Sequence, residues 1–148
     1  MAKIGVLICQ GCDIGSSLDL GALEKAAGKC EGAMPARSVP FLCDDAGGKV
    51  IDEMLALGTN ALVIAACSAR FHARAFLRER CHTERVSLRE LAVGSHAPND
   101  VDTQMLAEDM LRMGVARAAR VELPAPQPLP AERTVLVVGV GQAGWRRR

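Results

Sequence analysis

Strand-like and helix-like patterns of apolar residues alternate along most of the chain. Lys3 to Cys9 is an apolar run that ends before a glycine-containing loop, which predicts a strand buried on both faces. Ala61 to Ala66 has the same pattern and predicts a second buried strand. A short strand at Ala36 to Val39 is expected at a sheet edge because Pro40 cannot donate a ladder hydrogen bond, and a weaker strand is predicted at Arg85 to Leu88.

Helical spacing of apolar residues follows these strands. The predicted helices extend from an Asp19 cap to about Gly28, over Asp45 to Leu57 with Gly58 as terminator, from a Ser68 cap to about Cys81, and from about Asp100 to Ala119. The predicted buried stripe of the last helix consists of Val101, Met105, Leu106, Met110 and Met113. The third helix would present Arg70, Arg74 and Arg78 on one face, which we interpret as solvated.

The alternation of strands and helices predicts an α/β fold with an open parallel sheet. Over residues 1–122 we expect about four strands with helices on both faces, in a three-layer flavodoxin-like or Rossmann-like arrangement. Alternating prolines predict an extended linker over 123–132. A further strand predicted over Arg133 to Val138 marks 133–148 as the start of a second domain.

The composition excludes several classes of protein. The chain has 148 residues, 49% apolar and 24% charged, which is typical of one globular domain. With a net charge of +1, three Phe, one Trp and no Tyr, it lacks the positive field and stacking surfaces of nucleic-acid-binding proteins. We expect neither a membrane span nor a signal peptide. In the cytoplasmic setting that this predicts, six cysteines indicate metal or redox chemistry rather than disulfides.

Four of the six cysteines are predicted to meet at one edge of the sheet. In open parallel α/β sheets, ligands gather at the carboxyl ends of the strands. Cys30 and Cys81 lie near helix ends and are expected at the opposite edge. The other four lie at or after strand ends: Cys9 ends the first strand, Cys12 follows in its loop, Cys43 follows the second strand, and Cys67 ends the third.

Four cysteine thiolates are the ligand set of a 4Fe-4S cluster or of a structural zinc ion. Zinc sites usually contain two Cys-x-x-Cys knuckles, whereas only Cys9 and Cys12 have that spacing here, so the pattern favours the cluster. Two other interpretations stay open, because Cys9 and Cys12 could exchange disulfides and buried cysteines can serve as small apolar side chains. Among the histidines, His72 is the best candidate for tuning a cluster without binding it.

Three stretches around these cysteines carry a family resemblance. They are Gly5-Val6-Leu7-Ile8-Cys9, Phe41-Leu42-Cys43-Asp44-Asp45 and Ala65-Ala66-Cys67-Ser68-Ala69-Arg70-Phe71-His72. Together they resemble the N-terminal domain of the heterodisulfide reductase A-subunit family, and the resemblance covers essentially the whole chain. Members of that family are iron–sulfur flavoproteins of electron-transfer complexes, whose N-terminal domain carries a 4Fe-4S cluster ahead of a large FAD domain.

The resemblance implies an electron relay and a ligand set. The implied cluster ligands are Cys9, Cys12, Cys43 and Cys67, and the implied partners are other subunits of an electron-transfer complex or a separate flavin-binding chain. Many family members have Cys-x-Cys-Gly after the first strand, where this chain has Cys9-Gln10-Gly11-Cys12. Many also have a cysteine after the fourth strand, where Ala92 stands here, and we expect Cys12 to replace that ligand.

A glycine fingerprint follows the proline-rich segment. Gly139, Gly141 and Gly144 match the turn with which a strand–helix unit holds a dinucleotide such as FAD. The helix and the acidic residue that complete this unit are absent from the sequence, so we expect FAD only if the missing domain is supplied elsewhere. Either the flavin domain is on another polypeptide or the reading frame is truncated. The chain is then part of an oxidoreductase without being catalytic alone. The alternatives are a Cys-x-x-Cys thiol-disulfide oxidoreductase and a metal-free interaction module left from a longer flavoprotein.

Overall fold

Four parallel strands form one sheet in the computed structural model, which describes residues 3–123 together with Ala125, Pro128 and Pro130. The strands β1 (Ile4–Cys9), β2 (Arg37–Val39), β3 (Ala61–Ala66) and β4 (His82–Ser87) lie in the order β2-β1-β3-β4. The predicted open parallel α/β sheet is therefore confirmed. Most of the predicted linker over 123–132, and all of the segment 133–148 with Gly139, Gly141 and Gly144, lie outside the described residues.

β1 and β3 occupy the centre of the sheet, and every residue of both strands is buried. A strand with neighbours on both sides and helices over both faces needs apolar residues at successive positions, which explains their continuous apolar sequences. β2 is a short edge strand, as Pro40 predicted, because the residue after Val39 has no N–H to continue the ladder. β4 is the opposite edge and begins at His82, before the predicted start at Arg85.

Five helices and one π-helical turn connect and cover the strands in the described part of the chain. They are α1 (Ile14–Ser17), α2 (Leu20–Gly28), α3 (Asp45–Ala56), α4 (Ala73–Phe76), the π-helical turn (Arg89–Val93) and α5 (Val101–Ala118). Side chains of Asp19, Asp44 and Asp100 accept hydrogen bonds from the first free backbone N–H groups of α2, α3 and α5. These caps fix where the three longer helices begin.

Helices cover both faces of the sheet, as predicted. Met54 of α3 lies directly against Gly5 of β1, and Leu62 of β3 lies on the same face. Gly114 of α5 packs against Val63 and Val86 on the other face. Because successive strand residues point to opposite faces, the neighbours Leu62 and Val63 separate the α3 side from the α5 side.

The predicted helix from Ser68 to Cys81 is wrong. Only α4 (Ala73–Phe76) is helical in this segment, so the predicted face of Arg70, Arg74 and Arg78 does not exist. His72 and Arg80 take left-handed backbone conformations on either side of α4, which ends a right-handed helix. Arg78 holds the irregular chain in place. Its guanidinium donates to the carbonyls of Ala75, Leu77 and Gly48 and to the carboxylate of Asp52.

The predicted buried stripe of α5 is also wrong in most positions. Val101, Met105 and Met113 are 72%, 58% and 62% exposed, whereas Leu106 and Met110 are partly buried. The buried face is instead formed by smaller residues, namely Thr103, Ala107, Leu111, Gly114, Val115 and Ala118. Small side chains let α5 lie close to β3 and β4, and this close approach places the longer side chains outside the contact.

Candidate metal centre

The carboxyl ends of β1, β2 and β3 lie side by side at one edge of the sheet. Cys9 pairs with Val39 at the ends of β1 and β2, and Ile8 pairs with Ala65 in β3. Cys9 is the last residue of its strand, and Cys67 follows directly after β3. Because these strands are hydrogen-bonded neighbours, the two thiol-bearing positions are one strand apart.

The loops that carry Cys12 and Cys43 contact each other at this edge. The backbone N–H of Gln10 donates to the carbonyl of Val39 at 2.9 Å. The Cα of Gly11 lies against the ring of Phe41, and a Cβ there would be 2.6 Å from two ring carbons. A side chain at Gly11 would therefore separate the two cysteine loops.

The four candidate cysteines differ in exposure. Cys9 and Cys67 are buried, with 7% and 8% of their surface exposed, whereas Cys12 and Cys43 are exposed. Within residues 3–123, Cys, His, Asp and Glu side chains form no group of three or more that is close enough to hold a metal ion. The structure thus brings the four cysteines to adjacent loops without placing three or more of them around one point.

Cys67 has a partly buried cation beside its thiol. Nη2 of Arg85 is 3.5 Å from Sγ of Cys67 and donates to the carbonyls of Cys67 and Ser68 at 2.9 and 3.1 Å. The guanidinium carbon lies 4.0 Å from the centre of the Phe76 ring, which is a cation–π arrangement. Burial raises the pKa of the Cys67 thiol, and the positive charge of Arg85 opposes that rise.

Cys12 lies in an open cavity of about 840 Å³ beside the π-helical turn. Arg89 and Glu90 of the turn line this cavity, together with Asn99. Cys12 and Asn99 both have positive φ angles, of 54° and 56°, which are uncommon for residues other than glycine. Such backbone conformations and π-helical turns concentrate at functional sites. Ala92 is fully buried in the same turn, at the position where the family that the chain resembles often has a cysteine.

Cys30 and Cys81 lie at the opposite edge of the sheet. Cys81 directly precedes β4, so it lies at the amino end of that strand. Cys30 follows α2, in the connection that leads to β2, and its thiol donates to the carbonyl of Ala26 at 3.5 Å. Both are partly buried, and the length of the strands separates them from the carboxyl edge.

The donor chemistry of the carboxyl edge fits an iron–sulfur cluster. Four thiols on adjacent loops match the four thiolate ligands of a 4Fe-4S cluster. Nε of Arg85 is a buried N–H that has no acceptor among the described residues, although the same guanidinium contacts Cys67. A sulfide or thiolate of a bound cluster is the kind of acceptor that such an N–H lacks.

Three proteins are similar in sequence to this chain over nearly its whole length. The A subunit of the ferredoxin:CoB-CoM heterodisulfide reductase of Methanosarcina mazei is 36% identical over 96% of this chain and 19% of its own length. The first iron-sulfur A subunit of the CoB–CoM heterodisulfide reductase of Methanopyrus kandleri is 30% identical over 96% of this chain and 23% of its own length. This chain is a homologue of part of the heterodisulfide reductase A-subunit. The resemblance that the cysteine-containing stretches indicated is thereby confirmed.

The homology to the heterodisulfide reductase A-subunit has a limited extent. The A subunit of the H₂:CoB-CoM heterodisulfide,ferredoxin reductase of Methanothermobacter marburgensis is 32% identical, and the chain again spans only 23% of that relative. No protein-family model matches the sequence. None of the helices in the described residues is both long and apolar enough to cross a membrane.

Two charged residues that act on Cys67 were not predicted from the sequence. Arg85 on β4 contacts Cys67, and the charge of Glu90 on the π-helical turn raises the pKa of that thiol. His72, the predicted tuning residue, is exposed and packs edge-to-face on Phe71. A lone arginine within a strand that pairs with a buried central strand is a signal that could have identified Arg85. Its partner in β3 is Ile64.

Proposed function

We propose that this chain binds one 4Fe-4S cluster and acts as an electron-transfer domain of a heterodisulfide-reductase-like iron–sulfur flavoprotein. The proposed ligands are Cys9, Cys12, Cys43 and Cys67. The observation that carries the proposal is the placement of these four thiols on adjacent loops at the carboxyl edge of one parallel sheet, with the other two cysteines at the opposite edge. The name of the Methanopyrus kandleri relative, which describes an iron-sulfur protein, agrees with it.

The two pairs of cysteines would contribute in different ways. Cys9 and Cys67 are held at strand ends within the core, so they supply two donors whose positions the sheet fixes. Cys12 and Cys43 are exposed on loops, so they supply donors that can close over the other side. When bound, a 4Fe-4S cluster would supply a one-electron carrier that accepts and releases electrons without making or breaking a bond in the protein.

The protein surroundings would protect and orient the buried side of this site. Arg85 fixes the backbone after Cys67 through two carbonyl groups, which holds this thiol at the end of β3. The ring of Phe76 covers the guanidinium and limits its contact with water. The contact between Gly11 and Phe41 keeps the loops of Cys12 and Cys43 adjacent.

The proposal includes partners and a second cofactor beyond the described residues. The relatives are named as subunits, and this chain spans 19 to 23% of the length of each of those three relatives. The electron donor and acceptor would therefore be other subunits or a separate flavin-binding chain, in a reducing cytoplasm. FAD would be bound only with a domain that completes the Gly139, Gly141 and Gly144 fingerprint.

Serine substitutions at exposed cysteines test the ligand set without disturbing the core. Cys12→Ser and Cys43→Ser should each lower bound iron and acid-labile sulfide severalfold after anaerobic reconstitution, because oxygen is a poorer ligand than thiolate for an iron–sulfur cluster. Cys30→Ser and Cys81→Ser are the matched controls and should load like the unchanged protein. Circular dichroism would establish that all four variants are folded.

The same variants separate the proposal from a thiol-disulfide oxidoreductase. A thiol-disulfide oxidoreductase would bind no iron, either as the unchanged protein or as any variant. Its Cys43→Ser and Cys67→Ser variants would keep full disulfide-reducing activity, because the active group would be the Cys9 and Cys12 dithiol. Full iron loading of Cys43→Ser would show that the proposed ligand set is wrong.

A further inference from the structure

Two opposite charges lie close to the thiol of Cys67. The guanidinium of Arg85 contacts the sulfur directly, with Nη2 at 3.5 Å. The carboxylate of Glu90 belongs to the π-helical turn that follows β4, where it lines the cavity of Cys12 and has a buried Oε2, and its negative charge favours the protonated thiol of Cys67 by raising its pKa. Cys67 is therefore in contact with a cation from β4 and under the influence of an anion from the π-helical turn.

Arg85 and Glu90 each have a polar side-chain atom without a hydrogen-bond partner among the described residues. Nε of Arg85 and Oε2 of Glu90 are buried, and each lacks a hydrogen-bond partner in the part of the chain that the structure describes. Burying an unpaired polar atom costs stability, so a retained pair of such atoms beside one thiol points to a role in the chemistry of that thiol. In such surroundings a charge acts more strongly on its neighbours than it would in water.

We propose that Arg85 and Glu90 are positioning residues that shift the reduction potential of the cluster held by Cys67 in opposite directions. This inference rests on the proposed function. Reduction adds one electron and hence one negative charge to the cluster. The positive charge of Arg85 stabilises that reduced form and raises the potential, whereas the negative charge of Glu90 destabilises it and lowers the potential.

The expected size of the effect follows from the 3.5 Å that separates Nη2 of Arg85 from Sγ of Cys67. At an effective dielectric constant of about 20, unit charges about 4 Å apart interact strongly enough to change an equilibrium well over tenfold. Because the added electron spreads over the cluster, we expect about a tenfold change in the ratio of reduced to oxidised protein at a given potential. For a one-electron couple this corresponds to about 59 mV.

Redox titration of the reconstituted full chain tests the inference. The protein would be poised anaerobically with dithionite and mediator dyes, and the reduced cluster would be followed by electron paramagnetic resonance. Arg85→Gln should lower the midpoint potential by about 59 mV, and Glu90→Gln should raise it by a similar amount. Arg85→Lys keeps the charge and should stay near the unchanged protein.

Arg112→Gln is the control for the loss of one positive charge elsewhere. Arg112 lies on α5, where it pairs with Glu108 and Asp109, and it lines a cavity with Cys30. Its substitution should leave the potential unchanged. A purely structural role of Arg85 and Glu90 would move the potential of both variants in the same direction or not at all, and either result overturns the inference.

The test also distinguishes the inference from the proposed function. If the unchanged protein binds no iron, the proposed function fails and the inference fails with it. If the cluster loads and the two charge-removing variants do not shift the potential in opposite directions, the inference fails while the proposed function stands. Should Arg85→Gln not fold, Arg85→Lys and Glu90→Gln decide the outcome, because Glu90→Gln alone must raise the potential.

Discussion

Two adjacent glycines of α3 should respond oppositely to the same substitution. Gly47 lies against the backbone of Phe41 and Leu42, directly before Cys43, and a Cβ there would meet the Phe41 carbonyl oxygen and lie 2.5 Å from Cα of Leu42. A Cβ at Gly48 would have only Nη2 of Arg78 within reach, at 3.9 Å. We therefore predict that Gly47→Ala destabilises the protein and Gly48→Ala stabilises it.

The difference in stability between the two variants follows from two contributions to the free energy of unfolding. Replacing glycine by alanine inside a helix stabilises by up to about 1 kcal/mol, and this term is similar at Gly47 and Gly48. Overpacking against atoms that cannot move aside costs about 1–3 kcal/mol, and it applies to Gly47 alone because its neighbours are backbone atoms. The free energies of unfolding of the two variants should therefore differ by about 1–3 kcal/mol.

Urea denaturation of the metal-free protein, followed by circular dichroism, would measure this difference. Gly48→Ala should unfold at a higher urea concentration than the unchanged protein, and Gly47→Ala at a lower one, with similar slopes. If Gly47→Ala is as stable as Gly48→Ala, the close contact between α3 and the Cys43 loop is refuted.

Two further predictions concern the core and its dependence on pH. Leu111→Ala on the buried face of α5 should lower the free energy of unfolding by about 2–5 kcal/mol, whereas Met113→Ala on the exposed face should change it by less than about 0.5 kcal/mol. If urea denaturation gives equal effects for the two variants, the burial of Leu111 and the exposure of Met113 are contradicted. Because burial raises the pKa of Cys67, the folded state keeps the thiol protonated and loses this stabilisation as the pH rises above about 9. Above that pH, the free energy of unfolding of the metal-free protein should thus fall more steeply than the free energy of unfolding of the Cys67→Ala variant. Parallel pH profiles for the two proteins would refute the raised pKa of Cys67.

The sheet could be predicted because its signal is local. The apolar runs of β1 and β3 are continuous, and each strand is buried along its whole length. The helix predicted after Ser68 does not form, and the conformation of this segment depends on residues that are distant in the sequence. Arg78 is held by the carboxylate of Asp52 and the carbonyl of Gly48, which both belong to α3. Sequence periodicity does not contain such contacts.

The candidate site could be predicted only in part, for a related reason. Cysteines at strand ends are assigned to the carboxyl edge as soon as the strands are known. The approach of Arg85 to Cys67 depends on the register between β3 and β4, in which Ile64 pairs with Arg85. The position of Glu90 depends on the π-helical turn, which no periodic pattern of apolar residues marks in the sequence.

The iron and acid-labile sulfide content of the full chain, reconstituted without oxygen, tests the central claim most directly. The account predicts about four iron and four sulfide per chain, with the broad visible absorption of a 4Fe-4S cluster that decreases on reduction with dithionite. Protein that binds no iron under these conditions, while its six cysteines titrate as free thiols, would contradict the account.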